Sequence, residues 1–416
     1  MREALVESRA ALSDPAKYIC AFRGRRDYYQ VPIALAEAGI LQEFITDAYA
    51  GRVARSITSV LPKQLEQKAN FRYDARLPPD CVRSIWSSTL LEQARHRLGC
   101  AASVTYAKLD RSFGLAVAAQ ARRSKSNLLV YSHYAWEAFT QRYHHRPKRV
   151  LFQFHPHPDF ERRILAEDTA RYSFTKQSFA SETGKNVSDE LKERTRDSWK
   201  HADLILCASS FTKRSLLEAG AENNRCRVIP YGIDVPDVIA KSNCTRFTAL
   251  FVGTGNQRKG LHHVLLAWKN ALLPGGSRLI LVCRVIDPSI EALVKSTRDV
   301  ELMPGVSDGQ LRELFESSSV LVMPSLVEGF GQVYLEALAA GCPVVGSPQT
   351  ALPDLYEEGD PIWLVEPGQI DQLVSVLESL STTLPGNFGA RRRARACAMR
   401  WSWERFRSGV RAALQD

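Results

Sequence analysis

No stretch of this 416-residue chain is apolar over the roughly 20 residues that a membrane-spanning helix needs. The opening residues, MREALVESRAALSDPAKYIC, mix both signs of charge and lack the apolar centre of a secretory signal. Residues 1 to about 16 are therefore expected to be a frayed terminus or a short helix, and the chain to be cytoplasmic. There is no C-x-x-C pair among the nine cysteines, which are scattered from Cys20 to Cys397. An odd, unclustered set argues for reduced thiols rather than disulfides or a zinc site. Acidic residues are scarce in one region only. Residues 51–150 hold 18 Lys+Arg against 6 Asp+Glu. Residues 1–240 hold 37 against 27, a net of +10, and the remaining 18 against 18 cancel. That asymmetry implies an anionic partner for the first half: lipid headgroups, a phosphorylated acceptor or nucleic acid. Nucleic acid is disfavoured, because the basic residues are not interleaved with an aromatic platform or a recognised motif.

Two domains are expected, since the chain is too long for one core. Strand-like and helix-like segments alternate, the pattern of doubly wound parallel sheets. KYICAFR (17–23), ILQEFIT (40–46), NLLVYSH (127–133), RVLFQFH (149–155), LILCAS (204–209) and CRVIPYGID (226–234) read as strands of a first sheet. DYYQVPIALAEAG reads as the helix between the first two. VPDVIAKSNCT (235–245) reads as a linker, after which FTALFVGTG, SRLILVCRV, SVLVMPS, GCPVVGS and IWLVEPG supply a second sheet. The fold class is thus α/β, with two Rossmann-like domains facing a central cleft, spanning 1–235 and 245–398. A basic amphipathic helix, within 400–416, follows the second.

In open α/β sheets ligands bind where strands lead into helices at their carboxyl ends. VGTGNQRKG (252–260) is such a loop. Gly253, Gly255 and Gly260 permit close backbone approach, and Arg258 with Lys259 place two cations at the next helix start, a diphosphate cradle. Neither the Walker loop nor G-x-G-x-x-G is present. A second such loop leads into VYLEALAAG. Gly329 and Gly331 leave amides open at a positive helix end, and Glu336 lies within an apolar helix face. A carboxylate there needs a partner, which an internal arginine or the hydroxyls of a ligand such as a ribose can supply. Glu328 guards the entrance to the same helix.

E-G-F-G-Q-V-Y-L-E-A-L-A-A-G-C-P-V-V resembles the Glu, seven residues, Glu signature of retaining GT-B glycosyltransferases of the family 4 type. I-P-Y-G-I-D (229–234), V-G-T-G…R-K-G (252–260) and V-L-V-M-P-S (320–325) follow that family's order and spacing. The likeness covers most of residues 200–375 and weakens before them. It implies that Arg258 and Lys259 hold the diphosphate of a UDP- or GDP-linked sugar, and that Glu336 accepts from the ribose. It places Glu328 near the donor sugar, with the backbone of Gly253, Gly329, Phe330 and Gly331 around it. No cofactor or metal is implied, and the chain contains no D-x-D triplet.

The first half departs from the family pattern. RGRRDYYQ has only Gly24 where a Gly-Gly loop is usual, so Arg25 is a candidate sugar or acceptor contact. FQFHPHPDF offers His155 and, second to it, His157; His133 is a weaker candidate. A histidine there would orient the acceptor hydroxyl or the donor sugar. The function implied is transfer of a sugar to a glycan, lipid-linked or polysaccharide acceptor, with peripheral contact to an anionic membrane. The alternative is an inactive nucleotide-binding regulatory module on the same fold.

Overall fold

The computed structural model describes residues 16–51, 70–85, 102–183, 189–237 and 245–415. The expected frayed terminus through residue 15 and most of the linker, residues 238–244, lie outside the described residues. So does part of the basic stretch 51–150.

Two wholly parallel sheets carry the fold. The first has seven strands: β1 (Tyr18–Ala21), β2 (Leu41–Thr46), β3 (Val82–Ser84), β4 (Asn127–Tyr131), β5 (Arg149–Gln153), β6 (Leu204–Cys207) and β7 (Cys226–Val228), in the order β3-β2-β1-β4-β5-β6-β7. The second has six: β8 (Thr248–Val252), β9 (Arg278–Val282), β10 (Val300–Met303), β11 (Val320–Met323), β12 (Val344–Gly346) and β13 (Ile362–Leu364), in the order β10-β9-β8-β11-β12-β13. Both orders reverse beside the first strand of the sheet, as in a doubly wound fold. The central strands are continuous apolar runs because helices cover both faces. LILC and VLVM are buried along their whole length. Edge strands β3 and β10 are the exceptions, with no fully buried residue in VRS or VELM.

The chain divides into two compact units, residues 1–152, 188–205 and 407–416, and residues 153–187 and 206–406. In the first, Arg407 reaches Glu37 at 3.0 Å and Gln30 at 2.7 Å, which ties the last residues to the helix Gln30–Glu37.

Two local readings need correction. The strand expected to end at His133 stops at Tyr131, and His133 lies in the first turn of the helix Ser132–Thr140. The helix expected from Asp27 begins only at Gln30. Residues 26–29 form a tight turn in which Asp27, Tyr28 and Tyr29 all have positive φ, at 41°, 51° and 64°. Such a run is strained for residues with a Cβ. It is held by a hydrogen bond from the Tyr131 hydroxyl to the buried Asp27 carboxyl, whose pKa burial pushes up to about 8.

Candidate active site

The loop between β8 and the helix Leu261–Asn270 is fixed mainly by its own polar side chains. Gln257 is fully buried; its backbone N–H donates to Ser178 Oγ at 3.0 Å, and its amide donates to the Leu165 carbonyl at 2.9 Å and to Asp168 at 2.8 Å. Asn256 bonds Glu182 and receives the Lys259 N–H at 3.1 Å. These bonds strap residues 256–259 to the segment 165–182, so that Arg258 and Lys259 leave a rigid backbone.

Not all the glycines of this loop serve a ligand. A Cβ at Gly255 would lie 2.9 Å from Ile286 and Leu261, and one at Gly260 would lie 2.3 Å from the Pro324 carbonyl oxygen. Packing demands both. Gly253 differs: its nearest neighbour would be the Lys259 side chain at 3.9 Å, and its φ is 150°.

The second loop comes off β11. Tyr334 donates its hydroxyl to the Met323 carbonyl at 2.8 Å, and Ser347 donates to the Ser325 carbonyl at 2.5 Å, which pins the strand's exit. Gly329 is wedged so that a Cβ would fall 1.8 Å from the Phe154 carbonyl oxygen, while its own carbonyl accepts from Ser209 and Thr212. Gly331, at φ 86°, turns the chain into the helix Gln332–Ala339. Among the described residues no acceptor meets the N–H groups of Gly329, Phe330 or Gly331. Tyr231 of the I-P-Y-G-I-D segment packs on Phe330, ring centroids 5.0 Å apart, and Gln332 donates to the Gly232 carbonyl at 2.8 Å.

The two loops meet at Glu328. Its carboxylate, 8% exposed, takes Lys259 Nζ and Arg258 Nη1, the latter at 3.4 Å. Burial alone would raise its pKa, but the charges of Lys259, Arg258 and His155 hold it at about 2. Arg258 is surrounded by two further carboxylates, Glu182 at 3.0 Å and Glu161 at 3.9 Å. Glu161 behaves oppositely to Glu328. Burial pushes its pKa up to about 7 against the pull of Arg258, and Glu182 and Glu328 add to the rise. Neither Glu161 nor Glu182 stands out in the sequence; their role follows from position beside Arg258.

The other candidates are placed as follows. His155 follows β5 in the second unit, beside Phe154, with its charge felt at Glu328. His157 is buried and caps the helix Pro158–Arg171, its Nδ1 accepting from the Asp159 N–H at 3.3 Å. Glu336 is half-buried with no side-chain partner among the described residues, so the arginine considered from the sequence is not there; burial, then Asp308, raises its pKa. His133 and Arg25 belong to the first unit, His133 edge-on to Tyr134 and Arg25 stacked between Tyr28 and Phe71 at 4.9 and 4.8 Å.

Two doubly wound parallel sheets, with a cationic loop and a glycine loop at the carboxyl ends of β8 and β11, are the arrangement of the GT-B fold. Residues 246–383 match the family described as Glycosyl transferases group 1. The chain is 28% identical over 185 residues to the MMP alpha-(1->4)-mannosyltransferase of Mycolicibacterium hassiacum, covering 43% of this chain and 45% of that one. It is 31% identical over 166 residues to the O-antigen chain mannosyltransferase B of Escherichia coli, covering 38% and 42%. The matched part thus spans less than half the length of these curated relatives. Among solved structures, sucrose-phosphate synthase of Thermosynechococcus elongatus superposes with a TM-score of 0.60 at 17% identity, covering 96% of this chain and 97% of that one. HepE of Anabaena in complex with UDP gives 0.56 at 16%, covering 96% and 99%. No helix among the described residues is long and apolar enough to cross a membrane.

Proposed function

We propose that the chain is a retaining, metal-independent glycosyltransferase that moves a sugar from a UDP- or GDP-linked donor to a hydroxyl of a glycan, lipid-linked or polysaccharide acceptor. The observation that carries the reading is the pair Arg258 and Lys259, held rigidly beside the unbonded amides of Gly329 to Gly331. The named activities of the mannosyltransferase relatives, and the UDP bound by HepE, support the donor class.

In this reading the diphosphate displaces Glu328 from Arg258 and Lys259, and the two cations neutralise the charge that grows as the leaving group departs. Glu328, released but still ionised, turns to the donor sugar, whose hydroxyls also meet the amides of the glycine loop. Glu336 accepts from the ribose, which gives its unpartnered carboxylate the donors that it lacks. His155 orients the acceptor hydroxyl or the donor sugar. No residue serves as a covalent nucleophile, so the acceptor attacks on the face that the phosphate leaves, and that phosphate takes its proton. The domains are 1–235 with 400–416 for the acceptor and 245–398 for the donor, and the basic first half gives peripheral contact with an anionic membrane at the cytoplasmic face.

A thermal-shift panel of nucleoside diphosphates and their sugars tests the donor half. One nucleotide family is expected to raise the melting temperature, and Lys259→Ala and Glu336→Ala to lose that rise. No response to any nucleotide sinks the proposal. Binding without either transfer or donor hydrolysis favours the regulatory module instead.

Glu161 gives a pH signature. Its folded-state pKa lies above the unfolded 4.5, so its stabilising contribution is full below about 4.5 and is lost as pH rises through about 7. A diphosphate on Arg258 adds negative charge nearby and favours the protonated carboxyl further. Nucleoside diphosphate affinity, measured by calorimetry, is expected to fall several-fold between pH 6 and 8.5. Glu161→Gln should remove the part of that slope due to the protein, leaving the slope of the nucleotide phosphate itself. A variant slope identical to wild type excludes Glu161 from the linkage.

A further inference from the structure

Directly beyond the Arg258–Lys259 loop, three buried side chains converge that the proposed chemistry does not use. Asp168, on the helix Pro158–Arg171, is 7% exposed, and His262 and His263, in the first turn of the helix Leu261–Asn270, are 0% and 1% exposed. Both imidazoles turn Nε2 to one carboxylate. His262 lies 3.1 Å from Oδ2 and 3.3 Å from Oδ1, and His263 lies 2.8 Å from Oδ1. Consecutive side chains diverge by roughly 100° around a helix of 3.6 residues per turn. Helix geometry therefore does not impose two rings on one carboxylate, with centroids 4.0 Å apart.

Asp168 is the acidic member of the cluster, buried and bonded to both rings. Among the described residues no lysine or arginine pairs with it; its ion-pair partners are the two histidines. A buried carboxylate with no lysine or arginine beside it is a natural seat for a cation.

We propose that Asp168, His262 and His263 form a binding site for one divalent transition-metal ion of the zinc class. Bonds of about 2.0–2.2 Å at tetrahedral angles set donor atoms about 3.3–3.6 Å apart. The donors here stand 2.8 to 3.3 Å apart across the carboxylate, and all lie within 4.8 Å of one another, so a small spreading admits the ion. Imidazole and carboxylate are the ligand types that suit such an ion. Gln257 donates to Oδ2 at 2.8 Å and fixes the carboxylate in the way an outer partner of a metal ligand does. The Nδ1 atoms of both rings have no hydrogen-bond partner, so each can carry its proton there and present the Nε2 lone pair. Lacking that outer acceptor, the site is expected to bind roughly 10–100-fold more weakly than one whose histidines have it. The bound ion would join Asp168 to the helix that begins just after Lys259 and stiffen the cradle from behind, apart from the transfer reaction itself.

The test uses the full chain, stripped with a chelator and kept reduced. Titration with Co²⁺ is expected to give one saturable equivalent with weak visible bands of nitrogen and oxygen ligation, and Zn²⁺ should displace it and raise the melting temperature. His263→Ala and Asp168→Asn should each weaken binding at least tenfold. Absence of saturable binding overturns the proposal, as does affinity unchanged in both variants. An intense thiolate charge-transfer band in the wild type also overturns it, because the ion then sits on cysteine; that readout needs no variant to fold.

Discussion

Lys259→Ala is expected to lower kcat/KM for sugar transfer by roughly 100- to 1,000-fold, the range for losing one preorganised group that meets transition-state charge. Lys259 leaves a backbone held by Asn256 and Gln257, so its ammonium is placed before any ligand arrives. A charge that needs no reorganisation acts mainly on the step where the leaving group gains charge. The loss should therefore fall on kcat as well as on donor KM. Arg258 still neutralises Glu328 in the variant, which keeps the buried carboxylate paired and the chain folded. Steady-state kinetics with a thermal-denaturation control measure both. Lys259→Arg should recover only part of the rate, because a planar guanidinium cannot take the same point-charge position. A kcat/KM within a few-fold of wild type would remove Lys259 from the mechanism, and a change confined to KM would make it a ground-state binding residue.

How much of this was readable from residues alone depends on how local the cause was. The central strands announce themselves, since LLVY, LILC and VLVM are buried on both faces and must be apolar throughout. Strand β10 and the helix Pro288–Ser296 before it are absent from the sequence reading. At a sheet edge VELM has water on one side, and its Glu301 breaks the apolar run. The turn at residues 26–29 is also illegible, because its left-handed backbone is held by Tyr131, more than a hundred residues away.

The site divides the same way. Arg258, Lys259, Glu328 and the glycines around Phe330 lie in short motifs, and the fold gathers the first two on the carboxylate of the third. Glu161 and Glu182 become visible only when the segment 158–182 is folded against the cradle. Asp168 and the two histidines are nearly a hundred residues apart in sequence, and no spacing rule joins them. Gly255 and Gly260 invited a ligand explanation, yet neighbouring chain accounts for both.

Gly260→Ala should therefore act through stability before chemistry. At φ 71° a residue with a Cβ costs about 1–2 kcal/mol over glycine. The new Cβ would also lie 2.3 Å from the Pro324 carbonyl oxygen, a backbone atom at the end of β11 that cannot swing aside as a side-chain tip could. Relieving such overpacking costs about 1–3 kcal/mol more, so the total loss is about 2–5 kcal/mol. Urea unfolding should show the midpoint falling with little change in slope, the sign of a stability change rather than an altered unfolded state. Part of the relief must come from moving Gly260 itself, which carries Lys259 away from Glu328. Folded variant is thus expected to bind nucleoside diphosphate more weakly than wild type even at temperatures where both are fully native. Gly276→Ala is the control: φ is 81° there, but the nearest atom to the new Cβ is an Arg246 side-chain carbon at 3.5 Å. It should show the backbone cost alone and leave nucleotide affinity unchanged. Equal losses in the two variants would mean that the close approach to Pro324 is relaxed without cost, and that the cradle is not held by this packing.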